Sequence, residues 1–465
     1  MQTIVNEPVN FDAELIERYD GRGPRYTSYP AAPEFSDRFT AADYREFARL
    51  SNESDRPLSL YVHIPFCHSL CYYCGCNKVV TRNQSRVRSY LDNLHREIEL
   101  QAELYSTSRP VEQLHLGGGT PTYLDDVLLQ RLIDKLASEF NFAGPADREF
   151  SIEVDPRSVD VATIQTLAEL GFNRLSLGVQ DFDASVQHAV NRVQSESQIA
   201  KLLSAARNEG FRSVSFDLIY GLPLQTASSF SRTLQSVIEM RPDRLAVYNY
   251  AHLPERFKGQ RMIDARQIPA PDEKLRLLQM TIDQLQAAGY CYVGMDHFAL
   301  PDDGLVTARR NNTLQRNFQG YSTHRHSDLV GLGVSAISHV GNCYSQNAIS
   351  TIEYESMLTK NELPISRGIA IDHDDMLRAD VIQALMCYDE VSFAEFGRRY
   401  EINFGQYFAA ELLRLVPLAK DGLIELDSEG IRVKPSGRLL LRSIAMQFDR
   451  HLDLSGETQQ FSRAI

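Results

Sequence analysis

Six apolar stretches of strand length, separated by helical stretches, leave this chain few folds to adopt. The apolar runs are PLSLYVH (57–63), EQLHLG (112–117), EFSIEVD (149–155), NRLSLGV (173–179), VSFDLIYG (214–221) and DRLAVYNYA (243–251). Between them lie SYLDNLHREIELQAELY, VLLQRLIDKLASEF, VATIQTLAELG, IAKLLSAARNEG and SSFSRTLQSVIEM, whose apolar residues recur at three and four, as on one face of a helix. Alternation sustained over this length predicts parallel pairing with right-handed crossovers. The strands read as short, β-branched and apolar on both faces, the pattern of a covered parallel sheet.

Polar groups gather where these strands stop. The first ends at His63 and a cysteine loop, the second at Gly117, Gly118, Gly119 and Thr120, and the third at Glu153 and Asp155. The fourth ends at Gln180 and Asp181, the fifth near Asp217, and the sixth at Tyr248, Asn249, Tyr250, Ala251 and His252. Barrels of alternating strands and helices keep their active sites at the carboxyl ends of the strands. Turn chemistry alone favours Gly, Asn and Asp; it does not call for Glu, Gln, Tyr and His.

The loop after the first strand, FCHSLCYYCGC, carries four of the chain's seven cysteines. Cys67, Cys71 and Cys74 follow C-x3-C-x2-C, and Cys76 comes two residues later. Thiols this dense point to metal rather than disulfides in a reducing compartment. Structural zinc takes two separated ligand pairs, and here Cys291, Cys343 and Cys387 are scattered singly. A cubane iron–sulfur cluster accepts ligands from one loop, and three cysteines leave one of its four irons open. A bidentate amino acid can chelate that iron, as the amino and carboxylate groups of S-adenosylmethionine can.

C-x3-C-x2-C with an aromatic, Tyr73, directly before the last cysteine resembles the signature of the radical S-adenosylmethionine superfamily. The wider string, PLSLYVHIPFC followed by YCGCNK, resembles the oxygen-independent coproporphyrinogen III oxidase family. The resemblance runs the length of the chain, from the arm RYTSYP to the ending QQFSRAI, and departs at Leu116 and at the loop THRHSD. It implies an incomplete (β/α)6 radical-SAM barrel. It also implies one 4Fe-4S cluster held by Cys67, Cys71 and Cys74 with an exchangeable S-adenosylmethionine, and a second S-adenosylmethionine beside the first. By the same resemblance Gly118 receives the amino group of the first molecule, Glu153 its ribose, Ile337 its adenine, and Tyr61 lies near the cluster. Tyr73, Gly119, Thr120, Gln180, Arg192, Asp217 and Ala251 match the second site. Cys76 is the family's fourth cysteine and is not needed as a ligand.

The activity so implied is oxidative decarboxylation of two propionates of coproporphyrinogen III to vinyl groups, giving protoporphyrinogen IX. An external electron donor such as flavodoxin or ferredoxin and a monomeric chain go with it. A haem chaperone of the same superfamily is the alternative; its relatives lack the arm and the fourth cysteine. Arg22, Arg25, Arg192 and Arg463 are candidates for gripping the propionates.

Composition agrees with this picture and excludes others. The chain has 465 residues, 23% of them charged, and a mean hydropathy of −0.30, as in a globular protein. No apolar run approaches the roughly 18 residues that span a bilayer, and the first residues lack a secretory pattern, so a cytoplasmic protein is expected. The net charge of −13 argues against nucleic acid as a partner.

Flanking segments complete the expected organisation. Residues 1–50 read as a short amphipathic helix with Phe11, Leu15 and Ile16 on one side, followed by a Gly-, Pro-, Tyr- and Arg-rich arm, which the family resemblance implies covers the active site. Residues 51–350 read as the barrel with an extension, which includes the apolar run YCYVGMDHFAL and a polar, Gly-rich loop over 316–344. His324 and His326 in that loop read as surface residues. Residues 351–465 read as a mainly helical, winged-helix-like domain with two short strands, LIELD and IRVKP, and a last helix from Gly437. From 371 onward there are 16 acidic and 11 basic side chains, a net of −5, which argues against DNA binding.

Overall fold

Each of the six apolar runs forms a strand in the computed structural model of the protein, which describes residues 8–452 and residue 461. They are β1 (Leu58–Ile64), β2 (Val111–Gly118), β3 (Glu149–Val154), β4 (Arg174–Gln180), β5 (Ser213–Tyr220) and β6 (Arg244–Asn249). Neighbours in sequence are neighbours in the sheet, and every pair is parallel. Helices Gln84–Ala102, Asp126–Glu139, Val161–Glu169, Glu196–Asn208 and Ala227–Met240 make the crossovers. Asn83, Asp125, Asp160, Ser195 and Thr226 cap them by accepting from first-turn N–H groups, donors with no partner inside the helix. Sequential parallel order with helical crossovers is the α/β topology of the incomplete (β/α)6 barrel.

The two faces of the strands differ, which corrects the expectation that both are apolar. Leu116, Ile152, Leu177 and Phe216 are fully buried, whereas His115, Ser151, Glu153, Ser176 and Asp217 on the alternate positions are half-buried. The reason lies in pairing: the second face joins polar groups to each other, His115 Nδ1 to Ser151 Oγ at 2.6 Å and Ser176 Oγ to Asp217 at 3.0 Å.

The sheet also continues past β1, where the sequence reads as loop. β7 (Asp328–Leu332) runs parallel to β1, and β8 (Ile337–Val340), β9 (Cys343–Asn347) and β10 (Ile365–Ala370) follow antiparallel. The strand β9, CYSQN, is buried at every position despite three polar side chains. Two of them are paired: Asn347 Nδ2 donates to Glu97 at 2.6 Å and Gln346 Nε2 to Ser335 O at 3.1 Å. YCYVGMDHFAL forms a two-stranded hairpin, Cys291–Gly294 against His297–Ala299, because Met295 takes a left-handed φ of +50° and reverses the chain.

Compactness groups residues 35–277 with 326–370, and residues up to 34 with 278–325 and those from 371 onward, across the expected boundaries at 50 and 350. The first unit contains β1–β10. In the second, helices His373–Tyr388, Phe393–Tyr400, Phe404–Tyr407 and Ala409–Lys420 pack with a three-stranded antiparallel sheet. Gly430–Val433 lies between Glu390–Ser392 and Ile424–Leu426 in that sheet. The expected last helix is α-helical only over Leu441–Ala445, between 3₁₀ turns at Arg438–Leu440 and Met446–Phe448.

The N-terminal helix, Ala13–Tyr19, and the arm belong to this second unit. Tyr26 and Tyr29 are part of its apolar core. Tyr26 donates to Asp449 at 3.1 Å, and Tyr29 Oη accepts from Arg450 N at 3.0 Å.

Candidate active site at the strand ends

The cysteine loop leaves β1 beside the glycine loop of β2, since Gly119 N donates to Ile64 O at 2.8 Å. Cys67 and Cys71 are buried, Cys74 is half-buried and Cys76 exposed, and all four are free thiols. The Thr120 hydroxyl stands 3.6 Å from Cys67 Sγ. Two guanidiniums point at Cys71 Sγ, Arg157 at 3.3 Å and Arg192 at 3.6 Å. Lys78 Nζ closes the loop by donating to the carbonyls of Cys74, at 2.9 Å, and Cys76, at 3.4 Å. Burial pushes the Cys67 thiol up to about 11. Cys74 is lowered instead, by the Cys76 thiol and then by the Lys78 ammonium.

Free thiols on one loop, with N–H donors to sulfur and positive charge at hand, are the donor set an anionic iron–sulfur cluster requires. Among the described residues no three His, Cys, Asp or Glu side chains gather closely enough for one metal ion. The residues present fit the cluster.

Three glycines bring backbone to the mouth of the site. A Cβ on Gly119 would stand 2.6 Å from Pro65 O, and one on Gly118, whose φ is +115°, 2.8 Å from the His63 ring. Only glycine fits at either position. Gly118 N donates to Glu153 Oε2 at 3.2 Å, which joins the two residues expected to meet the ends of one nucleoside. Tyr61 stacks on His115 with ring centroids 5.8 Å apart, and its hydroxyl faces His63 Nδ1 at 3.1 Å. Register places Gly331 of β7 opposite Tyr61, and a Cβ on Gly331 would meet Ile337 O at 2.6 Å. Ile337 thus lies one strand from Tyr61.

The fourth strand end carries the charge. β4 breaks register between Gly178 and Gln180, and Gln180 finishes it with a φ of +65°. Arg192 is buried there, donating to Asp155 at 2.8 Å and to Gly178 O at 2.8 Å, while its Nε has no hydrogen-bond partner among the described residues. Asp155 also takes Arg157 at 2.7 Å. Burial, and next the Glu153 carboxylate, lift Asp217 to about 7. Tyr73 and Ala251 are joined through Gln260, whose amide donates to both carbonyls, at 3.0 and 3.1 Å.

Every residue expected to hold the cluster or S-adenosylmethionine falls in the unit of β1–β10; of the propionate candidates, Arg192 is in that unit, Arg22 and Arg25 are in the other, and Arg463 lies outside the described residues. Sequence reasoning passed over His63, His115, Asp155 and Arg157 as working parts. Asp155 was visible as a strand-end carboxylate, but its two guanidinium partners lie 2 and 37 residues away and only the fold unites them.

Comparison with known proteins agrees with this geometry. Residues 61–237 match the Radical SAM superfamily and residues 371–440 the HemN C-terminal domain. The chain is 51% identical over 459 residues to the oxygen-independent coproporphyrinogen III oxidase of Pseudomonas aeruginosa, covering 99% of this chain and 100% of that protein. The enzyme of the same name from Escherichia coli is 50% identical, with 99% of each chain covered. The solved structure of coproporphyrinogen III oxidase (HemN) from Escherichia coli, described as a radical SAM enzyme, superposes with a TM-score of 0.91 at 48% identity. That match covers 96% of this chain and 100% of the other. A 4Fe-4S cluster and S-adenosylmethionine are implied by that superfamily, and the chain belongs to the oxygen-independent coproporphyrinogen III oxidase family of radical S-adenosylmethionine proteins.

Proposed function

We propose that the protein converts coproporphyrinogen III to protoporphyrinogen IX, each of two propionates losing one hydrogen atom to the 5′-deoxyadenosyl group, one electron to an external acceptor, and carbon dioxide, to become a vinyl group. The observation that carries this reading is the free-thiol loop, whose Cys71 sulfur receives two guanidiniums beside the Gly117–Thr120 backbone. When bound, the cluster and S-adenosylmethionine supply an electron and a 5′-deoxyadenosyl radical, strong enough to take hydrogen from an unactivated carbon.

In this reading Cys67, Cys71 and Cys74 hold the cluster, and Arg157 and Arg192 direct guanidinium donors at the Cys71 sulfur. Gly118 receives the amino group of the first S-adenosylmethionine and Glu153 its ribose, with Ile337 beside the adenine and Tyr61 near the cluster. A second molecule sits among Tyr73, Gly119, Thr120, Gln180, Arg192, Asp217 and Ala251; the unpartnered Arg192 Nε is a donor available to it. The electron comes from a small external carrier such as flavodoxin or ferredoxin, and a single chain in the cytoplasm suffices. Among the described residues no helix is long and apolar enough to cross a membrane.

Anaerobic reconstitution with iron and sulfide tests this, followed by turnover of coproporphyrinogen III with dithionite and S-adenosylmethionine. The expected products are protoporphyrinogen, 5′-deoxyadenosine and methionine. Ser at Cys67, Cys71 or Cys74 removes the brown chromophore, and Ser at Cys76 retains it. Protein that holds one zinc and no acid-labile sulfide would defeat the reading.

A further inference from the structure

Around the cysteine loop the balance of charge reverses. The chain has 61 acidic and 48 basic side chains, yet residues 56–91 contain no Asp or Glu and carry Arg56, Lys78, Arg82, Arg86 and Arg88. Arg82, Arg86 and Arg88 are exposed. Helix Gln84–Ala102 begins among them, with Asn83 as its cap and no acidic residue in its first turn, so the positive end of its dipole adds to their field. The first carboxylate beyond them, Asp92, is engaged by Arg131 at 2.7 Å.

This basic segment is tied to the cysteines and borders exposed apolar side chains. Phe66–Cys67 pairs in parallel with Val79–Val80, which sets Val80, 46% exposed, in register with Cys67. Thr81 N donates to Cys67 O at 3.2 Å. Asn77 Nδ2 donates to Ile349 O at 3.0 Å, and Arg86 donates to the Thr351 hydroxyl at 3.3 Å. Those two bonds bring up Ile349 and Ile352, which are 53% and 78% exposed. Glu353 is the one acidic residue directly beside them in sequence. All of these residues belong to the unit of β1–β10. Single exposed apolar residues are ordinary, but several beside arginines have the composition of a protein-docking surface.

We propose that Val80, Arg82, Arg86, Ile349 and Ile352 form the docking surface of a small acidic electron-transfer protein that reduces the cluster. This rests on the function proposed above and gives its electron supply a place on the chain. Electron tunnelling falls steeply with distance, so a carrier has to seat against the cysteine loop, and Val80 is an exposed side chain in register with one of its cysteines. At a net charge of −13 the chain as a whole repels an acidic carrier, and the acid-free segment supplies the local attraction that orients the encounter. Transient redox pairs bury less than about 1,200 Å² in total, so a few apolar side chains with a basic rim suffice. One electron leaves the carrier's reduced centre and enters the cluster, and no bond is made or broken at the surface.

The test compares two kinds of reductant on the reconstituted protein. Dithionite needs no docking, whereas flavodoxin or ferredoxin, held reduced by NADPH and the matching reductase, does. Binding of each labelled carrier is followed separately by fluorescence anisotropy. Arg82→Glu combined with Arg86→Glu raises the Kd and the KM for the carrier roughly tenfold and leaves turnover with dithionite unchanged. Ile352→Asp weakens carrier binding as well. Added salt weakens binding to the wild type and has less effect on the double variant. Arg82→Gln, on the exposed loop before the helix, stands in for the double variant should that not fold. Equal loss with dithionite and carrier would assign the arginines a structural role, and no loss with either would place the carrier elsewhere. A wild type active with dithionite that binds neither carrier would remove the surface. Each of these results overturns the inference while turnover with dithionite leaves the proposed function standing. A wild type inactive with dithionite would remove the proposed function, and anisotropy would still decide whether the surface binds a carrier.

Discussion

Arg192 donates to Asp155 across 2.8 Å with both side chains withdrawn from solvent, and the same carboxylate takes Arg157 at 2.7 Å. Both guanidiniums also reach Cys71 Sγ, so one carboxylate fixes the cationic side of the cysteine loop. Asp155→Asn leaves two largely buried cations uncompensated, at an expected cost of about 3–5 kcal/mol. Urea denaturation of the cluster-free protein reads that loss as a lower midpoint with an unchanged slope. Reconstituted Asp155→Asn should also retain less iron per chain.

Gly118→Ala places a methyl group 2.8 Å from the imidazole of His63 at a backbone φ of +115°. Holding a non-glycine residue in such a region costs on the order of 1–3 kcal/mol, and the loop relieves it by moving away from Glu153. Affinity for S-adenosylmethionine, measured by isothermal titration of the reconstituted protein, should fall by roughly tenfold. Unchanged affinity would place the amino group of the cofactor elsewhere.

How much of this was legible in the sequence depends on what holds each element. The strands β1–β6 were readable because half of each is carried by apolar side chains such as Leu116, Ile152 and Phe216, which advertise burial directly. β9 was not, because its buried Gln346 and Asn347 are held by hydrogen bonds to residues outside the strand, Asn347 to Glu97 on a distant helix. The cysteine cluster and the glycine loop were readable for a similar reason: each is contained in one short stretch of sequence.

Glu97, on helix Gln84–Ala102, is fully buried among neutral donors: Gly333 N at 2.7 Å, Asn347 Nδ2 at 2.6 Å and the Tyr354 hydroxyl. Burial outweighs these donors and lifts the carboxyl from 4.5 to about 7. The native state thus keeps this proton to higher pH than the unfolded chain. Stability from this group is complete below pH 4.5 and declines as pH rises toward 7, by about 3 kcal/mol in all. Glu97→Gln cannot titrate, so its unfolding free energy should fall less than that of the wild type between pH 5 and 7.5. Asp217 contributes a slope of the same sign to both proteins, and the difference between them isolates Glu97. Parallel curves would mean that Glu97 is ionised throughout.

Asp389 closes helix His373–Tyr388 at a left-handed φ of +61°, and its carboxylate binds Arg309 and Arg438. All three side chains are almost wholly buried, within a unit whose apolar core includes Leu385, Leu440 and Leu441. Asn tolerates the left-handed backbone nearly as well as Asp, so Asp389→Asn removes the charge and spares the conformation. Two buried guanidiniums are then left without an anion, and the expected loss is about 3–5 kcal/mol, as for other buried pairs broken from one side. Asp389→Ala adds the cost of an alanine held at positive φ and should be less stable still. Urea denaturation of both variants distinguishes the contributions: an Asn variant as stable as wild type would mean that the backbone carbonyls around Arg309 and Arg438, such as Val293 O and Tyr292 O, suffice to hold the cations.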